Sequence, residues 1–292
     1  MAMPDFTFLR PESLAEACAL ASQLGGEAAF IAGGTELIPD FIREREQARQ
    51  LIALDHLGEL RGITAADGAL RIGALTTVAD VAASPLVRTH FAALADAARA
   101  IGSAQIRSLA TIGGNFCRAV ACADTPPAAI AGEARVTIIG TQGTREMDAV
   151  EFFLGPRRTV LTAGEVLVAI TLPRQPAGSA CSYQRFSRRK GAALAVAAVA
   201  VRLTMAAGRI HGARIALGAV SPVPMLALQA AAMLEGQQPS LALLTKAGAM
   251  CADEALPITD VRGSADFRRE LVSVLARRAL EEAAARAAEG RS

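Results

Sequence analysis

The chain has 292 residues, of which 52% are hydrophobic and 20% are charged, and its formal net charge is +2. This length suits one large domain or two modest ones, and the composition excludes a largely disordered chain. The near balance of 30 basic and 28 acidic residues gives no basic surface of the kind that binds nucleic acid.

The first predicted elements alternate between helix and strand. Ser13 and Glu16 have capping-box spacing, which predicts a helix over 11–24, and Gly25 ends it. Short buried strands are predicted over 27–32 and 51–55, with a short helix interrupted at Pro39 between them. This order predicts a small α/β layer.

The middle of the chain predicts a second layer. A strand is expected over 69–75, a helix from about Thr77, and another helix over 85–101 with Ser84 as its N-cap. The stretch RSLATIGGN predicts an irregular loop. The segments ARVTIIG and TREMDA predict a hairpin, and EVLVAITLP predicts a strand that ends at Pro173.

Two prolines and a glycine in the segment 173–181 predict a domain boundary, which divides the chain into residues 1–176 and 177–292. Beyond it, the pattern predicts strands and then helices, which is typical of an α+β domain. The strands are expected over 182–187, 194–205 and 213–220, and the helices over 225–235, 240–252 and 264–288.

The sequence predicts neither a membrane span nor a metal site. No uncharged apolar stretch reaches the length of about 18 residues that a transmembrane helix needs, and the first residues lack the pattern of a secretory signal. The five cysteines form no CxxC pair, and the three histidines have no ligand spacing. We therefore expect a reduced, cytoplasmic protein.

Two similar glycine pairs are the features of the sequence that indicate a binding function. FIAGGTELIP contains Gly33 and Gly34, and LATIGGN contains Gly113 and Gly114. Glycines let a backbone approach a ligand closely, and successive N–H groups form a nest for an anion. One such pair is more often a structural turn, but two of them could converge on one diphosphate. Neither segment has the spacing of a Rossmann or Walker A loop.

These segments resemble the FAD-binding domain of the molybdenum hydroxylases, the group of xanthine dehydrogenase and carbon monoxide dehydrogenase. The resemblance rests on AGGTEL, on TIGGN with Asp124 nine residues after Asn115, and more loosely on SYQRFSRRKGAALAVAA. It covers almost the whole chain. It implies a two-part FAD-binding domain, with a small α/β layer and a mixed α+β layer. A C-terminal domain with a small antiparallel sheet and helices would follow.

The resemblance also implies which residues hold FAD. The two glycine segments would bind the pyrophosphate through backbone N–H groups, Asp124 would lie near the sugar or the polar edge of the flavin, and Ile101 and Val168 would pack on the cofactor. The implied residues are Ile31, Ala32, Gly33, Gly34, Thr35, Glu36, Leu37, Ile101, Thr111, Ile112, Gly113, Gly114, Asn115, Asp124, Val168 and Gln184. No catalytic acid, base or nucleophile is implied.

The chain departs from the family pattern where a lysine is common, because Gln184 stands there. Loss of that lysine would remove a positive charge that steadies reduced flavin and would weaken a nicotinamide nucleotide site. The electron acceptor, whether NAD, a quinone or another carrier, therefore stays open, as does the substrate of the complex. Cys117 and Cys122 are expected to be small packing residues.

In function, the resemblance implies the flavin subunit of a multi-subunit enzyme. FAD would take electrons from [2Fe–2S] centres on a small subunit, a large subunit would carry the molybdenum cofactor, and the assembly would be a dimer of heterotrimers. Two alternatives stay open, a stand-alone FAD-dependent oxidase or reductase of the related flavin-binding fold, and a scaffold that has lost its cofactor.

Overall fold

The computed structural model describes residues 5–290, and its elements alternate between strand and helix from residue 7 to residue 53. The helices are α1 (Leu14–Leu24), α2 (Leu37–Ile42), α3 (Val78–Ala83), α4 (Pro85–Ala100), α5 (Ala104–Leu109), α6 (Ile112–Cys117), α7 (Thr125–Ala131), α8 (Leu228–Ala232), α9 (Leu241–Glu254) and α10 (Ala265–Ala288). The strands are β1 (Thr7–Leu9), β2 (Ala28–Ile31), β3 (Gln50–Ala53), β4 (Ile63–Ala66), β5 (Ala69–Gly73), β6 (Arg135–Gly140), β7 (Gly143–Asp148), β8 (Phe153–Gly155), β9 (Arg158–Thr159), β10 (Val166–Leu172), β11 (Ser179–Ser187), β12 (Ala195–Ala206), β13 (Arg209–Gly218) and β14 (Met225–Leu226).

The first layer is a parallel sheet of three strands in the order β1-β3-β2, so β2 lies at an edge. Helix α1 begins where the Ser13 hydroxyl accepts a hydrogen bond from the Glu16 amide. Its apolar face, which includes Leu14 and Cys18, packs in one cluster with Ile52 of β3. The predicted small α/β layer is confirmed, with β2 half-buried rather than fully buried.

The second layer is an antiparallel sheet in the order β4-β5-β10-β6-β7. It shares one hydrophobic core with α3, α4, α6 and α7, to which Phe91 and Phe116 contribute fully buried rings. The predicted hairpin is confirmed as β6 and β7. The Ser84 cap of α4 is also confirmed, because its hydroxyl accepts from the Val87 amide.

The third layer is an antiparallel sheet in the order β11-β12-β13-β14, covered by α10, on which α9 packs. Its core contains Val199, Val201 and Leu217 from the sheet and Leu275 and Leu280 from α10. The predicted antiparallel sheet packed with helices is confirmed.

Two local predictions were wrong. The stretch 107–115 is not an irregular loop, because α5 and α6 begin at Ser103 and Thr111, whose hydroxyls accept from amides of their first turns. Pro39 does not interrupt α2, because it lies in the first turn, where a helix does not need the proline N–H.

None of the helices within residues 5–290 combines the length and apolar character needed to cross a bilayer. In the same part of the chain, no three His, Cys, Asp or Glu side chains are grouped so that they could hold a metal ion.

Candidate functional site

The first glycine segment leaves the edge strand β2 with free backbone donors. The amides of residues 32–36 have no hydrogen-bond partner among residues 5–290. Gly34 has φ +67°, a left-handed conformation that glycine adopts without strain, and its carbonyl accepts from the Ile38 amide as α2 begins. The segment therefore offers consecutive unpaired N–H groups at a sheet edge.

The second glycine segment forms the start of helix α6. The amides of Ile112 and Gly113 donate to the carbonyls of Thr76 and Ala74, at 3.0 and 2.8 Å. The Gly114 amide donates to the Thr111 hydroxyl, at 3.0 Å. The Asn115 amide donates to the Thr111 carbonyl, at 3.0 Å. The expectation of free N–H groups throughout 111–115 is therefore wrong for residues 112–115, because the protein already uses these four donors.

The two glycine segments lie against each other. A Cβ added to Gly33 would lie 1.9 Å from the carbonyl oxygen of Leu109, which comes just before the second segment. Only glycine therefore permits this approach of the two backbones. Residues far apart in the chain thus form one site.

Glycines of the second segment differ in what surrounds them. A Cβ on Gly113 would lie 2.6 Å from the Cβ of Ala74, so Gly113 is required by packing. Gly114 is exposed, and a Cβ there would meet only the Thr111 hydroxyl, at 3.0 Å. Gly114 is therefore the position of this pair where the surface is open to a ligand.

A buried carboxylate joins the helices that follow the two glycine segments. Asp40 of α2 is 3% exposed and forms ion pairs with Arg118, at the end of α6, and with Arg157, at 3.3 Å. The Nε of Arg118 also lies 3.4 Å from a carboxylate oxygen of Glu36. These pairs hold α2 against α6 and so fix the geometry of the site between them.

Asp124 lies in a second polar group, at the start of α7. It is 5% exposed, it accepts from the Tyr183 hydroxyl at 2.6 Å, and Arg185 Nη1 lies 2.9 Å from both of its oxygens. Burial raises the pKa of Asp124, while Arg185 and Tyr183 oppose that rise. Burial also raises the pKa of Tyr183 well above its ordinary value, so this side chain stays a neutral donor.

Gln184 faces away from this group. Successive side chains of a strand point to opposite faces, so Tyr183 and Arg185 of β11 face Asp124 while Gln184 faces α10. There its amide donates to Glu282, at 2.8 Å.

Ile101 lies beside the Asp124 group, and Val168 lies in the core of the first layer. Arg185 donates to the carbonyl of Ala100, the residue before Ile101, at 2.8 Å. Val168 is 3% exposed, stands at a bulge in β10 and packs in the cluster that Ala32 borders. Its side chain therefore belongs to the core against which Ala32 of the first glycine segment packs.

Four residues of the site were missed from the sequence, namely Asp40, Arg118, Tyr183 and Arg185. The strand pattern of β11 identifies Tyr183 and Arg185, because side chains alternate between the two faces of a strand. Tyr183 and Arg185 therefore share one face, and Gln184 lies on the opposite face. The pairing of Asp40 with Arg118 leaves no signal in the spacing of either residue, since it arises only when α2 and α6 meet.

This geometry fits a dinucleotide with a diphosphate. The free amides of 32–36 suit phosphate oxygens, and the exposed Gly114 leaves room on the other side. The Asp124–Arg185 pair could orient a polar group further along the ligand. The site contains no arrangement of nucleophile and base, so its chemistry would come from a bound cofactor.

Two family models match the chain. The model of the FAD binding domain in molybdopterin dehydrogenase matches residues 4–175, and that of the CO dehydrogenase flavoprotein C-terminal domain matches residues 182–283.

Relatives match along nearly the whole length. The carbon monoxide dehydrogenase medium chain of Hydrogenophaga pseudoflava is 34% identical over 99% of this chain and 100% of its own. The xanthine dehydrogenase FAD-binding subunit of Escherichia coli O157:H7 is 30% identical, with 98% of each chain covered. A solved carbon monoxide dehydrogenase from Hydrogenophaga pseudoflava, which lacks the Mo-pyranopterin moiety, superposes with a TM-score of 0.95 at 35% identity and covers 98% of this chain and 99% of its own.

Proposed function

The chain belongs to the family of FAD-binding subunits of molybdenum hydroxylases, and from this membership we propose that it carries the FAD of a multi-subunit molybdenum-containing hydroxylase or dehydrogenase. When bound, FAD supplies a redox centre that connects one-electron and two-electron carriers. The chain is thus an oxidoreductase subunit whose own residues bind and orient the cofactor.

One observation carries the proposal, the contact of the Gly33 segment with the chain just before Thr111. It brings the first segment, with its free amides, against the residues that lead into the second segment. We assign the diphosphate of FAD to this place, held mainly by the first segment because the donors of Ile112, Gly113 and Gly114 are already used. Thr35 and Asn115 flank the same place and offer polar side chains.

The second polar group has a separate role in this proposal. Arg185 is fixed by Asp124 and by the carbonyls of Ala100 and Ala193. A cation held in this way stabilises negative charge on a nearby reduced flavin, which is the role that the family gives to a lysine. Tyr183 keeps Asp124 in place and thereby keeps Arg185 in place.

We extend the proposal to the partners. An iron–sulfur small subunit would deliver electrons from [2Fe–2S] centres, a large subunit would carry the molybdenum cofactor, and the complex would be a dimer of heterotrimers in the cytoplasm. The division of the chain at residues 176 and 177 belongs to the same proposal. The relatives favour a subunit over the stand-alone oxidase, because proteins named as medium or FAD-binding subunits match over their full length.

The test is purification of the tagged full chain from its native cells. We expect a flavin absorption spectrum with about one FAD per chain, and co-purification of two further polypeptides with molybdenum and iron. A colourless chain that binds no added FAD would overturn the cofactor assignment. A yellow chain that purifies alone and oxidises a substrate without partners would overturn the subunit assignment in favour of the stand-alone enzyme.

A further inference from the structure

Helix α4 is broken near its middle, at Phe91. This residue has φ −157° and ψ 84°, which is extended backbone, while the residues on both sides are helical. The helix contains no glycine, and its one proline, Pro85, is its first residue. A kink without a local proline or glycine indicates that a group from elsewhere enters the hydrogen-bond ladder of the helix.

That group is the thiol of Cys181, which comes from β11. Its Sγ accepts a hydrogen bond from the Ala93 amide at 3.2 Å, and the Cys181 side chain is buried. Burial raises the pKa of this thiol to about 11, while hydrogen bonds from the amides of Ala93 and Ala92 oppose the rise. A new helix start leaves N–H groups without intrahelical acceptors. The neutral thiol therefore caps the second half of α4, residues 92–100.

The far end of this second half is attached to the same strand. The carbonyl of Ala100, the last residue of α4, accepts from Arg185 at 2.8 Å. Cys181 and Arg185 share one face of β11, because side chains alternate along a strand. A strand covers about 13 Å from Cys181 to Arg185, and a helix covers about 11 Å from Ala93 to Ala100. The second half of α4 therefore lies along β11 and is held at both ends.

The first half of α4 is held by a different segment. The Nε2 atom of His90, the residue before the kink, lies 3.1 Å from the carbonyl oxygen of Pro173. The two halves thus have separate attachments and are joined through the extended Phe91. The position of residues 92–100 then depends on their own contacts with β11, and the thiol is the contact at their start.

We propose that Cys181 is a positioning residue for the flavin. Its thiol fixes the start of residues 92–100, and this segment sets the position of Ala100, which holds Arg185, and of Ile101, which is expected to pack on the cofactor. The inference rests on the proposed function, since it takes FAD to lie beside Arg185 and Ile101. Cys181 acts through α4 and not by contact with the cofactor.

FAD titration of the full-length C181A and C181S variants tests the proposal, because serine keeps an acceptor at this position and alanine does not. We expect FAD affinity to fall about tenfold in C181A and to stay within about threefold of the wild type in C181S. The visible circular dichroism of the bound flavin should change in C181A and return to the wild-type form in C181S. A purely structural loss would leave that spectrum unchanged.

The matched control is C251A. Cys251 is also fully buried, but it lies in α9 and packs in the core of the third layer. Removing its sulfur should lower stability to urea about as much as C181A does, because the buried volume lost is the same. Its effect on FAD affinity should stay below about twofold.

Three results would overturn the proposal. They are wild-type FAD affinity and flavin spectrum in C181A, equal losses of affinity in C181A and C181S, and a loss in C251A as large as that in C181A. A wild-type chain that binds no FAD would instead defeat the proposed function. Hydrogen exchange at residues 92 and 93 of the FAD-free variants would then decide on the thiol contact, and equal exchange in C181A and C181S would refute it.

Discussion

Asp40 and Arg118 form an ion pair that joins the helix after the first glycine pair to the helix that contains the second. Asp40 is buried, and Arg157 reaches the same carboxylate from a third segment. Without this carboxylate Arg157 would lose its ion pair, and Arg118 would keep only the exposed Glu36. The site therefore depends on a charge that does not itself need to touch the cofactor.

Replacing Asp40 with asparagine should lower the free energy of unfolding by about 3 kcal/mol, because a mostly buried Arg118 loses its buried partner and keeps only the exposed Glu36. FAD should also be released more readily from the variant. Urea unfolding and FAD fluorescence measure the two effects. D266N is the control, because its ion pair with Arg269 is exposed and its loss should cost less than about 1 kcal/mol. Equal costs in the two variants would contradict the role of Asp40.

Replacing Gly33 with alanine should disrupt the contact between the two segments. The new Cβ would lie 1.9 Å from the Leu109 carbonyl oxygen, so one backbone must move, at a cost of about 3 kcal/mol. Thermal unfolding and the FAD content of the purified chain measure the result. G26A is the matched control, because no atom lies within 4 Å of a Cβ at that glycine. A G33A variant that keeps wild-type stability and FAD content would refute the contact.

Replacing Arg185 with alanine should weaken FAD binding, while replacing Gln184 should not, because the two side chains lie on opposite faces of β11. We expect a loss of at least about tenfold in FAD affinity for R185A, partial recovery in R185K and a change below about twofold in Q184A. Since R185A leaves Asp124 buried without a cation, circular dichroism should accompany the titrations. A larger loss in Q184A than in R185A would reverse the assignment of faces.

Stability at acid pH should depend on Glu165, which accepts two hydrogen bonds from Arg145 at 2.8 and 3.0 Å. Arg145 lowers the pKa of Glu165 from 4.5 to about 2. A carboxyl group with a lowered folded-state pKa stabilises the protein above pH 4.5, and this contribution is lost as the pH falls toward 2. Its size should be about 1 kcal/mol, because Arg145 is half exposed and water screens the pair.

Urea unfolding of the E165Q variant at several pH values checks this expectation. The wild type should be the more stable protein at pH 7, and the difference should shrink as the pH falls from 4.5 and vanish only below about 2, where Glu165 is protonated in both folded and unfolded chains. A difference that stays constant across this range would assign the effect of the substitution to packing rather than to charge.

The sequence predicted the order of elements well where local signals are strong. Ser13 and Ser84 marked helix starts, and both are caps in the structure. Ser103 and Thr111 are also N-caps, but the nearby glycines favour the prediction of a loop there. The contact of Gly33 with Leu109 could not be predicted from spacing, since it depends on how the first two layers pack.

The polar group around Asp124 shows a different limit of the sequence. The resemblance pointed to Asp124 and to Gln184, yet a shift of one residue along a strand reverses the face that a side chain occupies. In the structure Arg185, and not Gln184, lies on the face of β11 that meets Asp124.

Hydrogen–deuterium exchange of the full chain with and without FAD tests the central claim most directly, because it reports on both glycine segments in one experiment. Added FAD should slow exchange in 31–37 at the shortest times, since amides 32–36 are free, and in 111–115 at longer times, since four amides there are already bonded. Helix α9, which packs in the separate core of the third layer, should not respond. Protection of both segments is the expected result, and protection of only one of them, or of neither, would contradict a single flavin site built from the two.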